Sequence, residues 1–135
     1  MGKDSEITAR GGCLCGGVKF DVRGELSPVT YCHCKQCRIS HGHFIGYSNC
    51  AKDDLHLTSD STLTWFHSSE AAKRGFCNTC GSSLFWRRKN TDRISIAAGC
   101  LDDPTHLTAA VHIFVGSAGD YYKIEDGLPC FVENN

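Results

Sequence analysis

The fold is decided by two short stretches, Gly12-Cys13-Leu14-Cys15-Gly16-Gly17 and Cys77-Asn78-Thr79-Cys80-Gly81. In an extended segment residues i and i+2 point to the same side, so Cys13 and Cys15 can present two sulfurs to one ion. The Cys-x-x-Cys turn brings two further sulfurs together around a tight loop. Four thiolates form the usual closed structural site of zinc. The spacing therefore predicts one zinc ion that is shared by both stretches and joins the N-terminal part of the chain to its middle.

A third group, Cys32-His33-Cys34-Lys35-Gln36-Cys37, offers three thiolates. Three protein ligands and one open position are the pattern of catalytic zinc. We therefore predict a second zinc ion on Cys32, Cys34 and Cys37 that takes part in chemistry. The spacing leaves open that a further ligand closes this site, the candidates being Cys50, Cys100, His33, His41 and His43. It also leaves open a different pairing of the three cysteine groups between two ions.

Length and charge narrow the class of protein. The 135 residues suit one domain, which buries about two-thirds of its unfolded surface and needs no covalent help. A net charge of −1 does not favour nucleic acid or an anionic membrane as partner. No apolar run approaches the ~20 residues of a membrane helix, and no hydrophobic signal core follows the polar N-terminus. We therefore expect a cytoplasmic protein with reduced thiols. Five disulfides among the ten cysteines are the alternative.

Short alternating segments, separated by Gly, Asp, Asn and Ser, predict a β-rich single domain. The predicted strands cover residues 17–22, 28–32, 44–48, 55–58, 63–66, 83–86, 94–98 and 110–115. Short helical turns are predicted at 35–40 and at 102–105. We expect residues 1–10 to form a flexible polar tail and residues 11–135 to form the zinc domain.

The order and spacing of the three cysteine groups resemble those of the glutathione-dependent formaldehyde-activating enzyme family, which also contains centromere protein V. The resemblance runs from about residue 11 to residue 131 and includes Gly99-Cys100-Leu101-Asp102-Asp103-Pro104. It implies a Mss4-like β-tent fold stapled by zinc, with two zinc ions per chain. It implies a structural zinc on Cys13, Cys15, Cys77 and Cys80, and a catalytic zinc on Cys32, Cys34 and Cys37. The implied activity adds glutathione to formaldehyde, giving S-hydroxymethylglutathione, and is formally that of a carbon–sulfur lyase.

Adding a thiol to a carbonyl requires a thiolate and the transfer of a proton. A free thiol has a pKa of ~8.5, and coordination to zinc removes its proton. Histidine suits proton transfer near neutral pH, which makes His33 the predicted proton carrier beside the three cysteines, with His41 and His43 as alternatives. The carboxylates of glutathione would need cationic partners. Candidates that flank the cysteine groups are Lys35, Arg38, Arg74, Arg87 and Arg88.

Two other functions remain open at this point. The first is an enzyme of the same fold that acts on another small electrophile or on a thioether. The second is a non-catalytic, zinc-stabilised module that binds a protein or peptide. A nucleic-acid role, which centromere protein V suggests, is disfavoured by the near-neutral charge and the lack of a basic tail. The predicted partner is thus a small-molecule substrate, with glutathione as the first candidate, and the sequence makes no prediction about oligomeric state.

Overall fold

The computed structural model describes residues 6–134, and ten strands, one α-helix and three short 3-10 helices lie within this range. The strands are β1 (Ala9–Gly12), β2 (Val18–Val22), β3 (Val29–Cys32), β4 (Ile45–Ala51), β5 (Leu55–Asp60), β6 (Leu63–Phe66), β7 (Ala72–Cys77), β8 (Ser83–Arg88), β9 (Arg93–Ala97) and β10 (Ala109–Ile113). The α-helix α1 covers Lys35–His41, and the 3-10 helices cover Lys52–Asp54, Ala98–Cys100 and Val115–Ser117. No helix among residues 6–134 has the length and apolar character needed to cross a membrane.

The strands form two sheets that enclose one core. The smaller sheet has the order β1-β2-β5, and the larger has the order β10-β3-β4-β9-β8-β7-β6. All pairs are antiparallel except β10 with β3, which are parallel. This architecture confirms the β-rich single domain that the alternating segments predict.

The core lies between the inner faces of the two sheets. Val18, Phe20 and Val22 alternate with more exposed residues along β2, as the period of two requires, and each is at least 99% buried. The ring of Phe20 meets the ring of Phe85 from the larger sheet edge to face, with centroids 5.4 Å apart. Burying each such side chain stabilises the fold by about 1.5–3 kcal/mol.

The opposite face of the larger sheet is polar. Cross-strand partners share a face, and the registers link Thr30 to Tyr47, Asn49 to Ser95, Ser95 to Trp86, and Trp86 to Arg74. These side chains therefore form a continuous surface across β3, β4, β9, β8 and β7. This surface, which we call the polar face, carries the candidate site described below.

Three sequence predictions about the fold need correction. The strand β1 begins at Ala9, inside the predicted tail, because residues 9–12 pair with β2; residues 1–5 of that tail lie outside the described residues. The strand β7 was not predicted, since it lies between β6 and β8 with both faces covered and shows no simple alternation. The helical turn at 102–105 does not form, in keeping with the bias of a residue before proline, here Asp103, away from the α region.

Candidate metal centres and substrate cavity

The structure brings together all four cysteines of the predicted structural zinc site. Their Sγ atoms lie within 4.8 Å of one another. The Sγ of Cys15 is 3.7 Å from that of Cys13 and 3.6 Å from that of Cys77. A tetrahedral zinc ion with bonds of ~2.3 Å holds its sulfurs ~3.8 Å apart. The donor set and its spacing therefore fit zinc, and this group, with Cys80, is called the four-sulfur group below.

Backbone N–H groups surround these sulfurs, as a thiolate site requires. Val18 donates to the Sγ of Cys13 at 3.2 Å, and the backbone of Cys80 donates to the Sγ of Cys77 at 3.4 Å. Hydrogen bonds from the side chain and backbone of Ser82 lower the pKa of Cys80 to about 5. Gly81 adopts a φ of 80°, which is accessible to glycine without strain and lets the turn close behind the sulfurs. The local structure thus favours the deprotonated, metal-binding form of Cys80.

The three cysteines of the second predicted site also meet. Cys32 ends β3, Cys34 is the N-cap of α1, and Cys37 lies in the first turn of that helix. The Sγ of Cys34 accepts a hydrogen bond from the backbone of Cys37 at 3.3 Å, which is the usual contact of an N-cap side chain. Hydrogen bonds from the thiols of Cys32 and Cys37 lower the pKa of Cys34 to about 2. We call this set the three-sulfur group.

None of the residues considered as a closing ligand joins the three-sulfur group. Among residues 6–134, no further His, Cys, Asp or Glu atom belongs to that cluster. Cys50 is fully buried in the core, and Cys100 packs against the core with its thiol 3.3 Å from the carbonyl of Ser83. The rings of His41 and His43 are hydrogen-bonded to the hydroxyls of Tyr47 and Tyr121. The cysteines also form the two groups that the sequence analysis predicted first. The alternative pairing of the cysteine motifs between two ions is not seen.

The structure does not bring the side chain of His33 to these sulfurs. His33 alternates with Cys32 and Cys34, so its ring lies on the other side of the chain, where it is fully buried. Both ring nitrogens are engaged: Nδ1 lies 2.7 Å from the hydroxyl of Tyr122, and Nε2 lies 2.8 Å from Nδ1 of His112. Burial lowers the pKa of His33 to about 4. The predicted role of His33 as proton carrier therefore finds no support in its position.

His33 instead belongs to a directed chain of hydrogen bonds. The carboxylate of Asp126 lies 2.8 Å from Nε2 of His112 and can only accept, so that nitrogen carries the proton. When His112 is neutral, its Nδ1 accepts from His33, whose own Nδ1 accepts from the hydroxyl of Tyr122. This chain ties the segment after β10 to the strand that bears Cys32. The sequence analysis missed His112, Tyr122 and Asp126, because no local spacing connects them to the cysteines.

We expect the substitution His112→Phe to destabilise the protein by about 1–3 kcal/mol. A planar aromatic ring is kept, but the buried His33 loses its hydrogen-bond partner, and an unpaired buried polar group costs about that much. Urea denaturation followed by circular dichroism measures the difference. His56→Phe, at an exposed position of β5, is the control and should be close to neutral. Equal stability of both variants would show that the chain of hydrogen bonds contributes nothing.

A cavity of about 430 Å³ opens between the polar face and the three-sulfur group. All three cysteines of that group line it, together with Tyr47 and Arg74. Helix α1 reaches across the curved sheet to the cavity wall, where Gln36 donates to the backbone oxygen of Ser68. Because three sulfurs share one cavity with a polar floor, a small molecule held there would lie beside the ion that they hold.

Arg74 fixes the three-sulfur group from the side of the sheet. Its guanidinium donates to Oε1 of Gln36 at 2.9 and 3.1 Å, to the hydroxyl of Tyr47 at 3.1 Å and to the Sγ of Cys37 at 3.7 Å. The side chain is nine-tenths buried, so its positive charge acts on the thiolates with little screening by water. Arg74 was a candidate for binding substrate carboxylates, but its donors are occupied by protein groups.

Arg74 and His41 hold the hydroxyl of Tyr47 in position at the cavity. Arg74 donates to the hydroxyl oxygen, and Tyr47 in turn donates to Nε2 of His41 at 2.9 Å. Burial raises the pKa of Tyr47 and, together with the charge of Arg74, lowers that of His41 to about 4. Tyr47 therefore keeps its proton and His41 stays neutral near pH 7. The sequence analysis did not single out Tyr47, since no motif distinguishes it from other strand tyrosines.

Comparison with known proteins identifies a family that the chain matches. Residues 8–117 match the family model described as glutathione-dependent formaldehyde-activating enzyme. A Schizosaccharomyces pombe protein named as an uncharacterized lyase is 30% identical over 81 residues, which are 59% of this chain and 58% of that protein. The match thus spans little more than half of the length of the yeast protein. A crystal structure of a Rhodobacter sphaeroides protein is similar in fold, with a TM-score of 0.57 and 21% identity over 90% of this chain and 98% of that one.

Proposed function

Since the chain belongs to the glutathione-dependent formaldehyde-activating enzyme family, we propose that it is a lyase that joins the thiol of glutathione to the carbonyl carbon of formaldehyde or a similarly small aldehyde. The observation that carries this proposal is the three-sulfur group at the wall of a cavity, without a fourth ligand atom among residues 6–134. We further propose that each chain binds two zinc ions and that the protein acts in the cytoplasm, where thiols are kept reduced.

The proposed reaction needs no redox partner. The sulfur of the thiol forms a bond to the carbonyl carbon, and the electron pair of the C=O double bond passes to oxygen. The thiol loses one proton and the oxygen gains one, so atoms and charges balance in the S-hydroxymethyl product. A zinc ion on the three-sulfur group would supply positive charge that lowers the pKa of a thiol and polarises a carbonyl oxygen.

The residues of the chain supply position and hydrogen bonds. Arg74 holds Cys37 in place and offsets part of the charge of the thiolates. The cavity confines both reactants, which converts an encounter in solution into a reaction between neighbours. We assign to Tyr47 the hydrogen bond to the oxygen that gains negative charge, the part predicted for His33, because its hydroxyl lines the cavity and keeps its proton. To make this bond, the single O–H of Tyr47 turns from Nε2 of His41 to the substrate oxygen.

We expect Tyr47→Phe to lower the rate of adduct formation about 10²-fold while both zinc ions stay bound. The loss of one preorganised hydrogen-bond donor to a developing oxyanion typically costs 10²–10³-fold. The rate is measured by exchange NMR between glutathione, formaldehyde and their adduct, because the addition also proceeds without a catalyst. The unchanged protein must first accelerate exchange above the uncatalysed rate; equal rates with and without it would rule out the proposed function.

Tyr31→Phe is the matched control for this test. Tyr31 lies on β3 with its ring on the side of His112, away from the polar face, so its variant should retain the rate of the unchanged protein. A full rate for Tyr47→Phe would contradict the part assigned to its hydroxyl. Acceleration with another aldehyde but not with formaldehyde would keep the reaction class and correct the substrate.

A further inference from the structure

We propose that Arg88 binds a carboxylate of the thiol substrate and thereby makes the cavity selective for acidic thiols. This inference rests on the proposed function, since it assigns a specificity-determining residue to the same cavity. The contact with the carboxylate itself is made by a side chain of the protein, at the far end of β8 from the four-sulfur group.

The position of Arg88 follows from the register of the larger sheet. Arg88 is two residues beyond Trp86 on β8, so both side chains point to the polar face. Trp86 pairs with Arg74, and Arg88 pairs with Ala72. Arg74 and Arg88 are therefore diagonal neighbours, and the Cα atoms of such a pair lie about 7–8 Å apart. The guanidinium of Arg88 thus lies within reach of a molecule whose other end meets the three-sulfur group that Arg74 contacts.

The charges around the cavity single out Arg88 as the anion-binding group. Among the described residues, those that line the cavity include two arginines and no aspartate or glutamate. The buried Arg74 is bound to Gln36, Tyr47 and Cys37, as described above. Within residues 6–134, Arg88 forms no ion pair with a carboxylate, although Glu70 lines a neighbouring surface cavity that Arg88 also borders. A half-open site with one uncommitted guanidinium favours a ligand with a carboxylate over its neutral analogue.

The other polar side chains of the cavity fit the same kind of ligand. Thr30 and Ser95 line the cavity from the polar face, and each carries a hydroxyl group. Hydroxyl groups donate and accept hydrogen bonds without charge. As far as residues 6–134 show, the cavity therefore combines metal-binding sulfurs, neutral hydrogen-bonding groups and one cation without a carboxylate partner, which suits a short acidic thiol of peptide character.

Binding of glutathione and of its diethyl ester, in which both carboxylates are masked and the ammonium group is kept, tests this inference; binding is measured by titration calorimetry of the zinc-loaded protein. We expect the unchanged protein to bind glutathione about tenfold more tightly than the diester, and Arg88→Gln to remove that preference without weakening binding of the diester. Arg87→Gln is the matched control, because Arg87 precedes Arg88 on β8 and points to the opposite face. It should retain the preference. Arg88 is exposed, so its substitution should leave the melting temperature unchanged.

The outcomes separate the inference from the proposed reaction. A preference that survives in Arg88→Gln, or that is lost equally in Arg87→Gln, would overturn the role of Arg88. A preference that depends on Arg88, in a protein that does not accelerate the addition to formaldehyde, would support the anion site and reject the reaction. If the protein accelerates the addition but Arg88→Gln has no effect on glutathione binding, the reaction would be supported and the anion site rejected.

Discussion

Replacement of Cys13 by serine is expected to leave the chain largely unfolded at 25 °C. The four-sulfur group joins the turn after β1 to the turn between β7 and β8, which are more than sixty residues apart. In small zinc peptides near neutral pH, the apparent binding free energy of a structural zinc ion is ~10–16 kcal/mol. That amount matches or exceeds the 5–15 kcal/mol by which a typical domain is stable. A hydroxyl is a much poorer zinc ligand than a thiolate, so Cys13→Ser should lose most of the free energy of zinc binding.

Amide NMR dispersion, circular dichroism and zinc content per chain measure this effect together. Cys130→Ser is the control, since Cys130 is exposed and lies outside both sulfur groups. It should match the unchanged protein in all three measurements. A Cys13→Ser variant that is folded, and that unfolds in urea at the same midpoint as the control, would show that the hydrophobic core holds the sheets together without the ion.

Cys32→Ala should have the opposite profile, with the fold kept and the activity lost. One of the three sulfurs at the cavity disappears, so we expect one zinc ion per chain instead of two. The rate of adduct formation should fall by about 10³-fold or to the uncatalysed rate, since the loss of one electrostatic stabiliser alone costs 10²–10³-fold. Stability should fall far less than in Cys13→Ser, because the four-sulfur group and the core are intact.

Cys50→Ala is the matched control for this experiment. Cys50 is buried on the core side of β4 and belongs to neither sulfur group. Its variant should lose some stability through the smaller side chain but keep both zinc ions and the full rate. If Cys32→Ala retained the rate of the unchanged protein with one zinc ion per chain, the three-sulfur group would not be the reaction centre.

The elements that the sequence predicted well are those whose signal is local. Alternation along β2 reports directly which residues face the core, and that strand was predicted within one residue of its bounds. In β7, Ala72 and Arg74 are buried on one face and Gly75 and Cys77 on the other, so its residues 72–77 show no such alternation. The strand β1 is defined by its pairing with β2, which composition does not reveal.

The sequence itself determined which sulfurs lie together within each cysteine motif, whereas the tertiary structure decided that Cys15 meets Cys77 across 62 residues. In an extended segment or a tight turn, the spacing of the cysteines decides that their sulfurs converge, and the chemistry of thiolates decides which metal suits them. Tertiary structure alone decided what surrounds those sulfurs. Arg74 meets Cys37 across 37 residues, and His33 meets His112 across 79. The strand order brings such pairs together. No short-range pattern encodes them, because a side chain is oriented by its own strand, whereas its neighbours belong to other elements of the fold.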